Sequence, residues 1–250
     1  MIYKIENTDA VKKLFNGWNE TIIWSCLDNV MGCIYADHPK NPSSAAAYLG
    51  DFCFLAGLAN EELALNNTKD FIIMVPQNEQ WSEIISESFG ENAKRIMRYA
   101  FKKEKNIFDL NKLSQAVLSL PDGYSLKMID EHIFGLCSSS AWSRDLVSQY
   151  ENYEMYKRLG IGAVILKDGQ PVSGASSYST YIGGIEIEID TKEDHRRKGL
   201  AYICGARLIL ECAKRGLYPS WDAHNMASVR LAEKLGYHFD RKYTAFEVYK

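Results

Sequence analysis

Between residues 185 and 216 three elements follow one another without a break: a strictly alternating segment, a basic turn and an amphipathic helix. Ile185, Ile187 and Ile189 alternate with Glu186, Glu188 and Asp190. Side chains of a strand point to opposite faces in turn, so three isoleucines share one face and three carboxylates the other. Leu200, Cys204, Leu208 and Cys212 then recur at core-facing helical spacing, and Gly216 supplies a stop. In a central strand the acidic face must line a cleft or water, because an unpaired buried charge costs on the order of several kcal/mol. An edge strand with its polar face in solvent meets the same requirement.

The elements around this segment read as a layered domain. Tyr124 to Ile129 suits a strand. Asp130 to Leu159 has helical composition, with Ser143 a candidate cap for a helix from Arg144 to Arg158. Gly162 to Leu166 and Val172 to Thr180 read as a hairpin closed by Asp168-Gly169. A strand from Tyr218 to Ala223, a helix from Met226 to Leu235 stopped by Gly236, and two short strands, the last from Phe246 to Tyr249, follow. The order β-αα-β-β-β-α-β-α-β-β predicts an α/β fold: a mixed sheet with helices on both faces.

A charged run, Lys102-Lys103-Glu104-Lys105, a helical segment from Asp109 to Leu118 and the breaker Pro121-Asp122-Gly123 put a domain boundary near residue 120. Residues 1–120 then form a smaller α/β domain and residues 121–250 the second. In the first, Ala10 to Trp18 and Trp81 to Phe89 suit helices, and Phe71 to Val75 and Ile96 to Phe101 suit strands. Gly32 to Asp37, a loop, and Tyr48 to Phe54 echo the later hairpin. A degenerate copy of the second domain and a generic α/β domain both accommodate that echo.

A net charge of −3 argues against wrapping nucleic acid, which takes a concentrated basic face. No apolar run approaches the roughly 20 residues of a membrane helix, and Met1 to Asp9 lacks the basic-then-apolar order of a signal peptide. Cys26, Cys33, Cys53, Cys137, Cys204 and Cys212 form no CxxC pair, and the five histidines form no HxxxH or HExxH pattern. A cytoplasmic protein with reduced thiols and no metal site is therefore expected, contacting neither membrane nor nucleic acid.

Arg196-Arg197-Lys198-Gly199-Leu200-Ala201 sits where the strand gives way to the helix. A helix start offers unpaired N–H groups and partial positive charge, and small residues let a bulky anion approach. Three cations beside those donors make a diphosphate-binding arrangement. A solvated basic helix cap after Glu193-Asp194 explains the same residues. Downstream, Asn225 is placed to cap a helix by accepting from the Ser228 N–H.

The segment from Arg196 to Ala201 resembles the phosphate-binding motif (Arg/Gln)-x-x-Gly-x-(Gly/Ala) of the GNAT superfamily of acetyl-coenzyme A-dependent N-acetyltransferases. Asn225, Ser228, Lys234, Gly236 and Tyr237 resemble that superfamily's Asn-x-x-(Ala/Ser)…Lys-x-Gly-(Phe/Tyr) motif, at the usual separation. The resemblance covers about residues 120–250 and implies a GNAT-like fold there. It implies that Ile189, Asp190 and Thr191 pair by backbone with the pantetheine arm. The diphosphate would lie on Arg196, Arg197, Lys198, Gly199, Leu200 and Ala201, and Asn225, with Ser228 beside it in the cofactor site, would contact the pantetheine or order a water.

A general base would be Glu186, nearer the usual spacing, or Glu188, nearer the expected thioester. Ala232 stands where many relatives carry a tyrosine that protonates the departing thiolate; either Tyr237, His224 or Cys204 replaces it, or the thiolate leaves without a dedicated acid. The implied reaction moves an acetyl group from acetyl-CoA to a primary amine of a small molecule or peptide, by direct attack in a ternary complex and without metal. A non-catalytic acyl-CoA-binding regulator is the alternative. The acidic strand face suits a cationic acceptor, such as an aminoglycoside-like antibiotic, a polyamine or a lysine. The N-terminal region would shape the acceptor pocket or supply a homodimer contact.

Overall fold

Antiparallel meanders open both halves of the chain, and each leads through a helix to a strand parallel to the last. The computed structural model describes all 250 residues. They divide into two units, Met1–Arg98 with Lys242–Lys250, and Tyr99–Arg241.

The first unit holds β1 (Tyr3–Ile5), α1 (Thr21–Leu27), β2 (Cys33–Ala36), β3 (Ser44–Leu49), β4 (Phe52–Gly57), α2 (Glu61–Ala64), β5 (Phe71–Pro76), α3 (Glu79–Phe89) and the start of β6 (Ala93–Phe101). Strands β1 to β4 pair antiparallel in sequence order. β5 then lies parallel to β4, and Phe246 to Tyr249 pair antiparallel with β5. Ala46, Cys53, Leu55, Ile72, Met74 and Val248 meet Leu63, Trp81 and Ile85 in the core. Each large side chain buried this way contributes about 1.5–3 kcal/mol.

Two expectations change here. Ala10 to Trp18 is not one helix but two 3-10 turns, Thr8–Ala10 and Lys12–Phe15. The chain leaves the second at Asn16 in an extended conformation, and Gly17 follows at φ +77°. Tyr48 to Phe54 is not one strand, because Gly50 at φ +56° turns the chain between β3 and β4.

The second unit continues with α4 (Leu110–Leu118), β7 (Tyr124–Met128), α5 (Glu131–Ser138), α6 (Tyr153–Leu159), β8 (Gly162–Lys167), β9 (Gln170–Tyr181), β10 (Gly184–Thr191), α7 (Leu200–Lys214), β11 (Tyr218–Ser220), β12 (Asp222–Ala223) and α8 (Met226–Leu235). The final strand, β13 (Phe239–Tyr249), begins in this unit. Strands β7 to β10 form an antiparallel meander, and β11 lies parallel to β10. Asp168 and Gly169, at φ +50° and +76°, make the expected hairpin turn. One face of the sheet, through Ile165, Val172, Ala175, Ile185 and Ile187, packs with Leu200, Ile203, Cys204, Leu208, Ile209 and Cys212 of α7.

Leu113 and Ala116 of α4 join that same core. The second unit therefore begins at Tyr99, and the boundary expected near residue 120 falls inside it. Ser143 caps no long helix: its Oγ donates to the Cys137 carbonyl, and Arg144–Leu146 is a 3-10 turn. Asn152, extended at φ −157°, starts α6 by accepting from the Met155 N–H. The strand expected from Tyr218 to Ala223 breaks at Trp221, since β11 pairs with β10 while Asp222 and Ala223 pair with Ala100 and Tyr99 of β6. The two expected closing strands are one, β13, for no glycine or proline interrupts residues 239–249.

The two units thus share an order of four antiparallel strands, a helix and a parallel strand. No helix is long and apolar enough to cross a membrane.

Candidate functional site

Strand β10 carries the site. Ile185 and Ile187 are buried in the core on the side of α7, so Glu186, Glu188 and Asp190 occupy the opposite face. The strictness of the alternation survives because the irregularity in the β9–β10 ladder, between Glu186 and Ile187, has its extra residue, Tyr178, on β9. Glu186 is buried, whereas Glu188 and Asp190 are half-buried.

The ladder between β10 and β11 ends at Glu186, paired with Ser220. Beyond it β11 stops and the chain leaves for β6 by way of Trp221. The Lys192 N–H donates to the Val172 carbonyl at 2.9 Å. Hydrogen-bonded pairs alternate along an antiparallel ladder, so the backbone groups of Glu188 and Asp190 face β9 while those of Ile187, Ile189 and Thr191 face the edge that β11 has vacated.

That edge is satisfied locally. The Ile189 N–H donates to Glu188 Oε1 at 3.1 Å and the Thr191 N–H to Asp190 Oδ1 at 2.6 Å. Arg196 Nε donates to the Thr191 carbonyl at 3.1 Å, and its guanidinium lies 3.8 Å from Asp190. The carboxylates and Arg196 therefore occupy backbone groups that an extended ligand running along β10 would use.

The edge leads into the loop from Lys192 to Gly199. Glu193–His195 is one 3-10 turn, and Arg197 is left-handed at φ +61°, a conformation costing a residue with a Cβ about 1–2 kcal/mol. Gly199, also left-handed at φ +78°, is the N-cap of α7, and no side chain caps that helix. A Cβ on Gly199 would meet no atom within 4 Å, so the backbone is open to approach. Arg196, Arg197 and Lys198 are all exposed, with Lys198 Nζ donating to the Asp194 carbonyl at 2.9 Å. Uncapped N–H groups, a helix dipole and three cations give this helix start a positive field of the kind that suits an anion. His195 reports the same field. Desolvation, followed by the charges of Lys198 and Lys192, holds its imidazole below the ordinary value, and its Nδ1 lies 3.0 Å from the Tyr124 hydroxyl.

After β12, Asn225 caps α8, accepting from the N–H groups of Ala227 at 2.9 Å and Ser228 at 3.0 Å. The Ser228 hydroxyl in turn accepts from Trp221 Nε1 at 3.1 Å, which ties α8 to the point where the chain leaves β11. Both residues thus hold the start of α8 in place.

The candidate proton donors separate on burial. Ala232, at the position where many relatives carry a tyrosine, is 0% exposed. Cys204 lies in the core against Ser173, and burial pushes its thiol to about 12, as it does that of Cys212. Neither suits a nucleophile or an acid near neutrality. His224 is exposed. Tyr237 is buried and donates to the Pro219 carbonyl at 2.7 Å, its phenol raised well above the ordinary value by burial and then by Tyr218.

Residues absent from the sequence reading surround Glu186. It lies in one cross-strand row with Ser179 of β9 and Ser220 of β11, both buried. Its charge also helps to raise the phenols of Tyr181, Tyr218 and Tyr237, after burial, which acts most strongly on each. The available signal was the serines of β9, at 173, 176, 177 and 179, polar residues in a strand buried from Pro171 to Ser179. No group of three or more His, Cys, Asp or Glu is placed to hold a metal ion.

Comparison with known proteins points one way. The family model described as GNAT acetyltransferase matches residues 12–246. A GCN5-related N-acetyltransferase-like protein from Streptococcus suis 89/1591, of known crystal structure, is 49% identical and superposes with a TM-score of 0.93, covering 97% of this chain and 98% of its own. An uncharacterized N-acetyltransferase of Bacillus subtilis (strain 168), YdfB, is 29% identical over 95% of this chain and 94% of its own length. A tandem GNAT protein from the clavulanic acid biosynthesis pathway shares the fold at 10% identity, with a TM-score of 0.57 over 100% of this chain and 98% of its own.

Proposed function

The chain belongs to the GNAT acetyltransferase family, and from that premise we propose that it transfers an acetyl group from acetyl-CoA to a primary amine. The observation that carries the reading is the vacated edge of β10 running straight into an uncapped, cationic helix start. An acyl-CoA is a long molecule with an amide-bearing arm and a diphosphate. Its arm matches the edge at Ile189, Asp190 and Thr191, and its diphosphate matches Arg196 to Ala201. Bound there, it would supply an activated thioester near the end of the β10–β11 ladder.

Glu186 stands at that end. In this reading its carboxylate accepts the proton of the incoming ammonium, directly or through water, so that the neutral nitrogen can attack. The C–N bond forms as the C–S bond breaks; the acylated nitrogen gives up its second proton to the departing thiolate, directly or through water, and the proton held by the carboxyl returns to solvent. Glu188, whose Oε1 is engaged by the Ile189 N–H, is the second choice for the base. Cys204 and Cys212 are buried thiols, which favours direct attack in a ternary complex over an acyl-cysteine. Asn225 and Ser228 hold the start of α8. The acceptor is a cationic small molecule or peptide amine drawn to the acidic face of β10, and six free cysteines suit a cytoplasmic enzyme. The first unit is read as a degenerate copy of the second, from their common strand order.

A buried Ala232 favours a second reading, an acyl-CoA-binding regulator without chemistry. Calorimetry with acetyl-CoA, followed by thiol release across polyamine, amino-sugar and peptide acceptors, separates the two. Binding with release supports the transferase, binding without release on a broad panel supports the regulator, and no binding sinks both.

A further inference from the structure

Glu186 has a neighbour whose chemistry is unspent. Ser179 is 0% exposed, and its Oγ has no hydrogen-bond partner. Buried hydroxyls left unpartnered are rare, because the lost hydrogen bond to water is not replaced. The other buried serines of β9 are satisfied: Ser173 Oγ lies 2.7 Å from Thr191 Oγ1, Ser176 Oγ 2.9 Å from the Tyr156 hydroxyl, and Ser177 Oγ 2.6 Å from the Tyr150 hydroxyl.

Ser179 is the direct cross-strand partner of Glu186, and the ladder irregularity begins with the next residue of β10. Opposed residues of an antiparallel pair share a face, with Cβ atoms about 4.5–5.5 Å apart. A serine hydroxyl reaches a glutamate carboxylate across that gap. We propose that Ser179 is a positioning residue, its hydroxyl donating to the Glu186 carboxylate in the ionised, working form and holding it at the end of the β10–β11 ladder. This rests on Glu186 as the base of the transfer reaction. A donor aimed at the charged form favours that form. The titratable groups near Glu186 are Glu188 on the same face of β10, Tyr181 from β9, Tyr218 from β11 and Tyr237. Burial raises all three phenols, that of Tyr218 to about 12, so they keep their protons through the range in which a carboxylate ionises.

The test is a carbon-13 NMR titration of side-chain carboxyls in the full chain, with the Glu186 resonance identified by its loss in Glu186→Gln. Ser179→Ala should move the Glu186 midpoint upward, and Ser179→Thr, which keeps the hydroxyl, should leave it in place. With any amine that supports thiol release from acetyl-CoA, kcat/KM of Ser179→Ala should fall about tenfold on the acidic limb and recover at high pH. If Ser179→Ala does not fold, Ser179→Cys, a weak donor, should give an upward shift of the same sign. An unmoved midpoint in the alanine or cysteine variant overturns the proposal. Full acetyl transfer by Glu186→Gln sinks the base assignment instead, and leaves the measured coupling of the two side chains standing.

Discussion

The two units arrive at the same point in their topology and treat it in opposite ways. In each, the fourth strand of a meander runs into a helix that returns a parallel strand. In the first unit the strand is Phe52–Gly57, apolar along its length, and Asn60 caps the short α2 by accepting from the Leu63 N–H at 3.0 Å. Glu61 and Glu62 fill the first turn. The Gly57 N–H donates to Gln77 at 2.8 Å and its carbonyl accepts from Trp81 Nε1 at 3.1 Å, while a Cβ there would sit 2.2 Å from the Ser43 carbonyl. In the second unit the strand alternates carboxylates, the helix is uncapped, and cations line an open loop. Strand order is common to the two units; the cap and the charges, which set how well a helix start suits an anion, are what differ.

The sharpest way to break this contrast is to exchange charge at the two helix starts. Arg196→Glu with Arg197→Glu should weaken acetyl-CoA binding about 100-fold or more by calorimetry, since each charge-assisted contact is worth about 1.5–3 kcal/mol. Melting should reflect a loss of no more than about 1 kcal/mol, since Arg197 is exposed and the contacts of Arg196 with Thr191 and Asp190 lie near the surface. Glu61→Arg with Glu62→Arg should neither lose that binding nor create a second site, as the Asn60 cap and the filled space at Gly57 remain. A second binding event in this first-unit double variant would show that charge alone decides.

What was legible in the sequence follows the same line. The alternation from Ile185 to Asp190, the turn at Asp168-Gly169 and the Asn225 cap are local signals, and each stands in the structure as expected. The first unit was harder to read because β3 and β4 are buried nearly throughout, with Ala45, Ala46 and Ala47 in succession, so no period-2 pattern marks them. The turn at Gly50 was hidden between two such strands. The departure at Trp221 depends on β6, more than a hundred residues away, and no local pattern predicts it. The row Ser179, Glu186, Ser220 likewise exists only in the register between strands. The family motif names the loop, while the partners of the glutamate come from pairing.

A smaller effect separates the units by their response to acid. In the β2–β3 loop, Asp37 accepts from the Ser43 N–H at 3.0 Å, the Ser44 N–H at 3.1 Å and the Ser43 hydroxyl. Desolvation pushes its carboxyl up, but these hydrogen bonds outweigh it and leave it below the ordinary value. A depressed folded-state pKa gives stability that is present above the unfolded value and lost as pH falls through the folded one. Asp37→Ala should therefore cost about 1–3 kcal/mol at neutral pH, less in strong acid, with acetyl-CoA binding unchanged. Denaturant melts at pH 7 and pH 3 would measure it. A loss of equal size at both would show that the loop, rather than the charge, carries the effect.

The least perturbing probe is His195, at the edge of the cationic loop. Its pKa is lowered by desolvation and then by Lys198 and Lys192, so the folded protein binds this proton less readily than the unfolded chain. The sign is opposite to that of a histidine with an acidic partner: the stability it contributes is full above the unfolded value and declines as pH falls through it, levelling off below the folded value. An anion bound at Arg196 to Ala201 would offset the charges of Lys198 and Lys192, two of the influences that depress the imidazole, and leave desolvation in force. The His195 resonances should then titrate at higher pH with CoA present than without, and binding below neutrality should take up a fraction of a proton. An upward shift fits a diphosphate held between Arg196 and Ala201 beside this imidazole, and no shift at His195 would place the diphosphate elsewhere.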